Sequence, residues 1–225
     1  MATLPPATLR MPAAGTRLVR MVSRFRALLG AALFSAALLL ASPLAAEPGS
    51  WLGAPDKLPR PQRGDPIKNL EFLFGALKIA PDPTSAKAIE ERIWALWFVS
   101  GSDTANLLMT RVKTAVEAQD LDLAVELLSA IVEIKPDFAE AWNRRATIYY
   151  MKKDYSRAIS DIRQVLAREP RHFGAMSGLG LILQDVGDDK HALDIYRRAL
   201  AIHPHLPRVP DLIKTLTEKV EGRDI

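Results

Sequence analysis

The sequence contains no cysteine among its 225 residues. That excludes disulfide frameworks, Cys-ligated zinc and iron–sulfur sites, thiol nucleophiles and lipid attachment to an N-terminal cysteine. Proline is scarce over a long stretch, occurring between Thr84 and Pro204 only at Pro136, Pro170 and Pro204. Acidic residues are missing from residues 1–46, which nevertheless hold Arg10, Arg17, Arg20, Arg24 and Arg26. No apolar run reaches the roughly 18 residues that span a bilayer comfortably. The run from Ala27 to Ala41 is too short and is interrupted by Gly30 and Ser35. H-E-x-x-H, G-x-S-x-G and G-x-x-x-x-G-K-[ST] are all absent, which leaves no recognisable zinc-protease, serine-hydrolase or phosphate-loop signature. What is present is ordinary for a folded protein: 48% hydrophobic residues, 25% charged residues and a net charge of +4.

The basic N-terminus, the short apolar run and the small residues Ser42-Pro43-Leu44-Ala45-Ala46 before Glu47 read as a secretory signal peptide over 1–46. Cleavage is expected after Ala46, with Ala45 as the near alternative, and an uncleaved signal anchor is the competing reading. No Arg-Arg pair precedes the apolar run, so the general secretory route is expected. A start at Met21 leaves a well-proportioned signal of 26 residues, which makes residues 1–20 an upstream extension. Removing 1–46 takes five arginines and no acid, leaving 25 basic against 26 acidic side chains, or −1. Nucleic acid and anionic membranes thereby lose their support as partners. Residues 47–67 contain Pro48, Pro55, Pro59, Pro61 and Pro66 with three glycines, a linker or extended arm. Trp51 within it is expected to pack on the folded part.

A period of 34 organises the rest. It separates Pro136, Pro170 and Pro204, then Ala124, Ala158 and Ala192, then Asp120, Asp154 and Asp188. Trp142, Ala146, Tyr149 and Tyr150 share one helix face, as do Ala158, Ile162, Val165 and Leu166. The recurring aspartates are placed to cap each second helix, the alanines let helices approach at crossings, and Asp137 with Glu140 reads as a capping box. Upstream, Leu70, Phe72, Phe74, Leu77 and Ile79 suggest a helix ended by Pro81 and Pro83. Ala86–Phe98 suggests a second, carrying Ile89, Ile93, Trp94, Leu96, Trp97 and Phe98 and closed by Gly101-Ser102-Asp103. Asp211–Glu221, with Leu212, Leu216 and Val220, reads as a last helix.

On these residues the chain resembles the tetratricopeptide repeat family. Residues 173–206 carry Met176, Leu179-Gly180, Leu183, Gly187, Ala192, Tyr196, Ala199 and Pro204. Residues 139–172 carry Trp142, Ala146, Tyr149, Ala158, Ile162, Val165 and Pro170, with Arg145 where the family has leucine. Residues 105–138 carry Leu108, Arg111, Val112 and Ala115, then Ala124, Leu128, Ile131 and Pro136. The resemblance implies an all-α, right-handed α-solenoid of antiparallel helix pairs. Its three units would be flanked by a degenerate N-terminal capping pair at 68–104 and a C-terminal capping helix at 207–225. It also implies a concave groove where peptides or partner helices dock. Carried over position by position, that groove is lined by Met109, Lys113 and Val116, then Asn143, Thr147 and Tyr150 with Arg144 beside them, then Ser177, Leu181 and Gln184. Leu181 stands where a terminal-carboxylate clamp needs a polar group. The chain is also similar to small exported repeat proteins of Gram-negative bacteria, which implies a periplasmic location; secretion or tethering by an uncleaved anchor is the alternative.

Little else in the sequence points to chemistry. His203 and His205 lack a third zinc ligand beside them, so the four histidines (with His172 and His191) read as surface or inter-repeat residues. Glu90-Glu91 and Asp188-Asp189 do not face each other on a helix and read as solvated. Trp94, Trp97 and Phe98 read as core. The basic run Arg144-Arg145 with Lys152-Lys153 is offset by Asp154, Asp161 and Glu140. No catalytic, metal or cofactor site is expected. The expected function is that of an exported, non-catalytic scaffold that binds protein or peptide partners in the cell envelope. The alternatives are an assembly or stress factor acting by self-association, or an accessory subunit of an envelope enzyme.

Overall fold

The computed structural model describes residues 66–222; the expected signal peptide, most of the Pro/Gly-rich arm and Trp51 lie outside the described residues. Among the described residues there are nine helices and no strand: α1 Pro66–Lys78, α2 Pro83–Trp97, α3 Asp103–Glu117, α4 Leu121–Ile134, α5 Ala139–Met151, α6 Tyr155–Arg168, α7 Phe173–Asp185, α8 Asp189–Ile202 and α9 Val209–Val220.

One turn, used three times, sets the architecture. After α3, α5 and α7 the chain enters the left-handed region at Gln119 (φ 59°), Lys153 (φ 58°) and Gly187 (φ 81°). The next residue's N–H then reaches back to a carbonyl five residues earlier: Asp120 to Ala115, Asp154 to Tyr149 and Asp188 to Leu183, each at 2.8 Å. This Schellman closure satisfies carbonyls at the end of the first helix. The same aspartate opens the second helix, its carboxylate accepting from the N–H of Leu123, Arg157 or His191 at 3.0, 3.1 and 3.3 Å. Three residues thus end one helix, start the next and reverse the chain.

Each reversed pair buries its recurring alanine completely; Ala124, Ala158 and Ala192 are all 0% exposed. Between pairs, Ala141 and Ile148 join Val112, Leu128 and Ile131 in one core, and Ala175 and Ile182 join Ala146, Ile162 and Val165 in the next. The matching positions on α3 (Leu107, Arg111 and Thr114) are exposed, so no pair precedes it there.

The N-terminal pair is where the expectation needs correction. It does not cap the array ahead of α3. Leu73, Phe74, Leu77, Ile93, Trp94 and Trp97 instead share a core with Phe173, Met176, Leu193, Tyr196, Leu206, Val209 and Leu216 of the far end. α1 ends at Lys78, shortly before Pro81, whereas Pro83 opens α2, whose first turn is capped by Asp82 accepting from the Ser85 N–H at 2.9 Å. The buried stripe of α1 contains Leu73, Phe74 and Leu77, whereas Phe72 and Ile79 point outward. The expected capping box is also absent: Phe138 takes the N-cap position of α5, Asp137 pairs with Lys135 at 3.1 Å, and Glu140 is drawn inward.

Candidate functional site

The residues expected to line a groove fall on α3, α5 and α7. Met109, Val116, Thr147, Tyr150, Leu181 and Gln184 are half-buried, and Lys113 is exposed beside Glu117. Asn143 and Ser177 are buried, contrary to a free groove position.

The α2 segment comes down beside them: Arg144 and Gly174, one turn or less from Asn143 and Ser177, meet Phe98 at the C-cap of α2 and Trp94 within it. The Arg144 guanidinium sits 4.6 Å from the Phe98 ring. A Cβ on residue 174 would lie 2.9 Å from the Trp94 ring, so only glycine admits this approach. Trp94 meets Phe173 and His172 edge-on, and Trp97 stacks on His172 at 4.0 Å with 7° between planes. Three further contacts fasten the pair: Arg171 Nη2 to Glu71 at 2.9 Å, the Arg171 guanidinium 4.2 Å from the Phe74 ring, and His205 Nε2–H donating to the Ala80 carbonyl at 2.9 Å.

Beside this contact lies a polar cluster. Glu140, 1% exposed, accepts from Asn143 Nδ2 at 3.0 Å and Arg144 Nε at 3.1 Å. His172 caps α7, its Nδ1 accepting from the Ala175 N–H at 3.1 Å, which places the ring proton on Nε2 facing Glu140 at 3.4 Å. His203 Nε2 lies 3.2 Å from Glu90 Oε2, while Glu90 Oε1 accepts from Trp94 Nε1 at 3.1 Å. His172 and His203 are therefore buried fastenings rather than surface residues, and Glu90 is engaged rather than solvated; His191 is exposed. Asp189 likewise pairs with Lys219.

The other end of the face is more open. Tyr155 Oη donates to Asp185 at 2.9 Å and packs near the Tyr150 ring; burial and the Asp185 charge push the Tyr150 phenol up to about 12. Tyr196 Oη donates to Gln184 at 2.7 Å, and burial pushes that phenol up as well. The basic run is paired off: Arg145 forks onto Asp161 at 2.8 and 2.9 Å, and Lys152 meets Asp122. Among the described residues no group of three or more ligand-type side chains could hold a metal, and no helix is long and apolar enough to cross a membrane.

Sequence reasoning missed Glu140, His172, Gly174, His203 and Glu90 as a connected set. One signal was available. Residues 173–184 carry no charged side chain, whereas a helix with one solvent face should show a polar stripe.

A family model described as tetratricopeptide repeat matches residues 139–172. A TPR repeat-containing protein of Rhizobium etli is 39% identical over 194 residues, covering 85% of this chain and 95% of that one. Bacteriophage adsorption protein A of Escherichia coli K12 is 35% identical over 95 residues, which is 42% of this chain and 9% of that protein. Among solved structures, the first TPR of Spaghetti bound to the HSP90 peptide SRMEEVD is similar, with a TM-score of 0.51 and 18% identity. That likeness covers 53% of this chain and 95% of the other.

Proposed function

The chain belongs to the tetratricopeptide repeat family, and on that footing we propose that it is a non-catalytic scaffold, exported to the periplasm, that binds protein or peptide partners of the cell envelope. The carrying observation is the strip left open on the first helix of each of three units. Met109, Lys113 and Val116 on α3, Thr147 and Tyr150 on α5, and Leu181 on α7 offer apolar contact and one exposed cation, Lys113, whose ion pair with Glu117 at 3.7 Å lies on the surface. Such a strip suits a partner segment with apolar side chains and an acidic group opposite Lys113. The bound peptide on the similar Spaghetti structure supports the general mode. Export rests on the arginine-rich, apolar and Ala-terminated stretch of residues 1–46.

Crosslinking mass spectrometry on the full chain in its own host tests the binding role. Crosslinks from Lys113 to a second protein are expected, and Lys113→Glu with Tyr150→Ala should weaken capture by about tenfold or more. Recovery of self-crosslinks alone would overturn the scaffold. Cell fractionation with N-terminal sequencing tests export: a mature N-terminus at Ala46 or Glu47 is expected, and an intact N-terminus in the cytoplasm refutes it.

A further inference from the structure

Among the described residues, nothing packs on the outer face of α3. The positions that seat the later units on their predecessors are buried: Ala141 and Ala175 are 0% and 1% exposed, and Ile148 and Ile182 are 4% and 1% exposed. Their counterparts on α3, Leu107 and Thr114, are exposed, Leu107 by 64%. They belong to a stripe of Asp103, Leu107, Arg111, Thr114 and Ala118, all exposed, on the side of α3 opposite its buried Ala105 and Val112. The far end of the array is closed, because α9 lays Val209 and Leu216 into a core with Leu193 and Tyr196.

The charges on this stripe are arranged about Leu107. Asp103 lies four residues before it and Arg111 four after, on the same face and each about 6 Å away along the helix axis. The two are too far apart to pair with each other, and neither has an ion-pair partner among the described residues. Elsewhere on the first helices acid and base stand four apart and pair within the helix, as Lys113 does with Glu117 and Arg144 with Glu140. An acid and a base set symmetrically about an apolar residue complement a second copy of themselves run antiparallel. We propose that α3 is the contact of a two-fold symmetric dimer of this chain. Leu107 meets the partner's Leu107, while Asp103 faces the partner's Arg111 and Arg111 faces the partner's Asp103. The small side chains of Thr114 and Ala118 let the two helices approach. Because α9 closes the other end, a head-to-tail stack is not available and the contact stops at two copies. α3 spans about 22 Å, a short contact, so the dimer is a dissociating one with a Kd on the order of 10 μM. Met109 and Val116 are half-buried on the other side of α3, so the dimer neither uses nor blocks the open strip.

Sedimentation equilibrium on the full chain measures the association. Asp103→Lys leaves the stripe positive at both ends, and Arg111→Glu leaves it negative at both. Each variant alone should dimerise about tenfold more weakly than wild type, or worse. Mixed together, the two should form a heterodimer within about threefold of wild-type affinity, as should the doubly reversed Asp103→Lys with Arg111→Glu. Because the chain has no cysteine, Leu107→Cys adds a probe of register. Oxidation should link two copies through residue 107, whereas Val186→Cys, at a position 54% exposed after α7, should not link. A wild-type chain that stays monomeric up to about 1 mM overturns the proposal. So do single reversals that associate as wild type does, or a mixture that fails to associate. A monomeric chain whose Leu107→Cys thiol is protected from maleimide is equally fatal, and would make residues 47–65 the occupant of the stripe. If the dimer is found while host crosslinking recovers no second protein, the envelope-scaffold reading fails and the dimer stands.

Discussion

Replacing Arg145 with leucine, the residue usual in the family at that position, should destabilise this chain rather than improve it. The guanidinium donates through Nε and Nη2 to both oxygens of Asp161 at 2.8 and 2.9 Å and through Nη1 to Ser129 Oγ at 3.0 Å. Its carbon lies 4.8 Å from the Trp142 ring, and hydrogen bonding to Asp161 holds its pKa above the ordinary arginine value. The Asp161 side chain is 5% exposed and that of Arg145 14%, so the pair bridges α4, α5 and α6 nearly out of water. Stranding a buried carboxylate costs about 3–5 kcal/mol. Burying leucine in place of the arginine stem returns about 1–2 kcal/mol, for a net loss of about 1–4 kcal/mol. Asp161→Ala should cost less, since Arg145 keeps Ser129 and Trp142 and can reach solvent. The double variant Arg145→Leu with Asp161→Ala should come within about 1 kcal/mol of wild type, because the desolvation of both charges disappears with them. Urea unfolding followed by circular dichroism, with midpoints compared at unchanged m, measures all three. The reasoning is refuted if Arg145→Leu is neutral or stabilising, or if the double variant loses the sum of the single losses.

Lys153→Gly should stabilise the chain by about 0.5–1 kcal/mol, because Lys153 holds φ 58° where Gly187 occupies the equivalent turn; an unchanged or lower urea midpoint counts against it. Gly180→Ala should be destabilising by about 1–2 kcal/mol. A Cβ there would lie 2.4 Å from the buried Tyr196 ring, and that overlap outweighs the roughly 1 kcal/mol gain in helix propensity; a raised melting temperature would contradict it. At high pH the fold holds the protonated Tyr150 phenol, whose value rises from 10.0 to about 12. The associated stability is whole below pH 10 and is lost as pH climbs from 10 toward about 12. Tyr150→Phe should flatten that loss in a pH series of unfolding midpoints, and curves parallel to wild type would show that Tyr150 is not responsible.

The repeats were legible because their signals are local. A turn that needs a capping aspartate and a buried alanine writes both into the sequence every 34 positions, whereas its left-handed residue, Gln119, Lys153 or Gly187, leaves no common letter. Trp94, Trp97 and Phe98 were legible as packing residues for the same reason, since helical spacing reveals burial. It does not reveal the partner. Glu90 meets His203 across 113 residues, and no periodicity links positions so far apart. The histidines were left open between surface and inter-repeat positions for a related reason: nothing local to His172 decides between the two until Trp97 is known to stack on it. Asn143 and Ser177 were expected at open groove positions but are buried, because helical spacing gives which residues share a face and not what comes to rest beside it.

The fold-back of the first helix pair also imposes an order of events during synthesis. Arrays of this kind can fold a pair at a time as they emerge, each unit resting on the one before it. Here Trp94 and Trp97 leave the ribosome well before Phe173 and His203, with 113 residues between Glu90 and its histidine. At common elongation rates that gap lasts on the order of 10 s. For that interval the earliest helices of the array carry an aromatic face with nothing to cover it. Whatever shelters a nascent chain therefore matters most to α1 and α2.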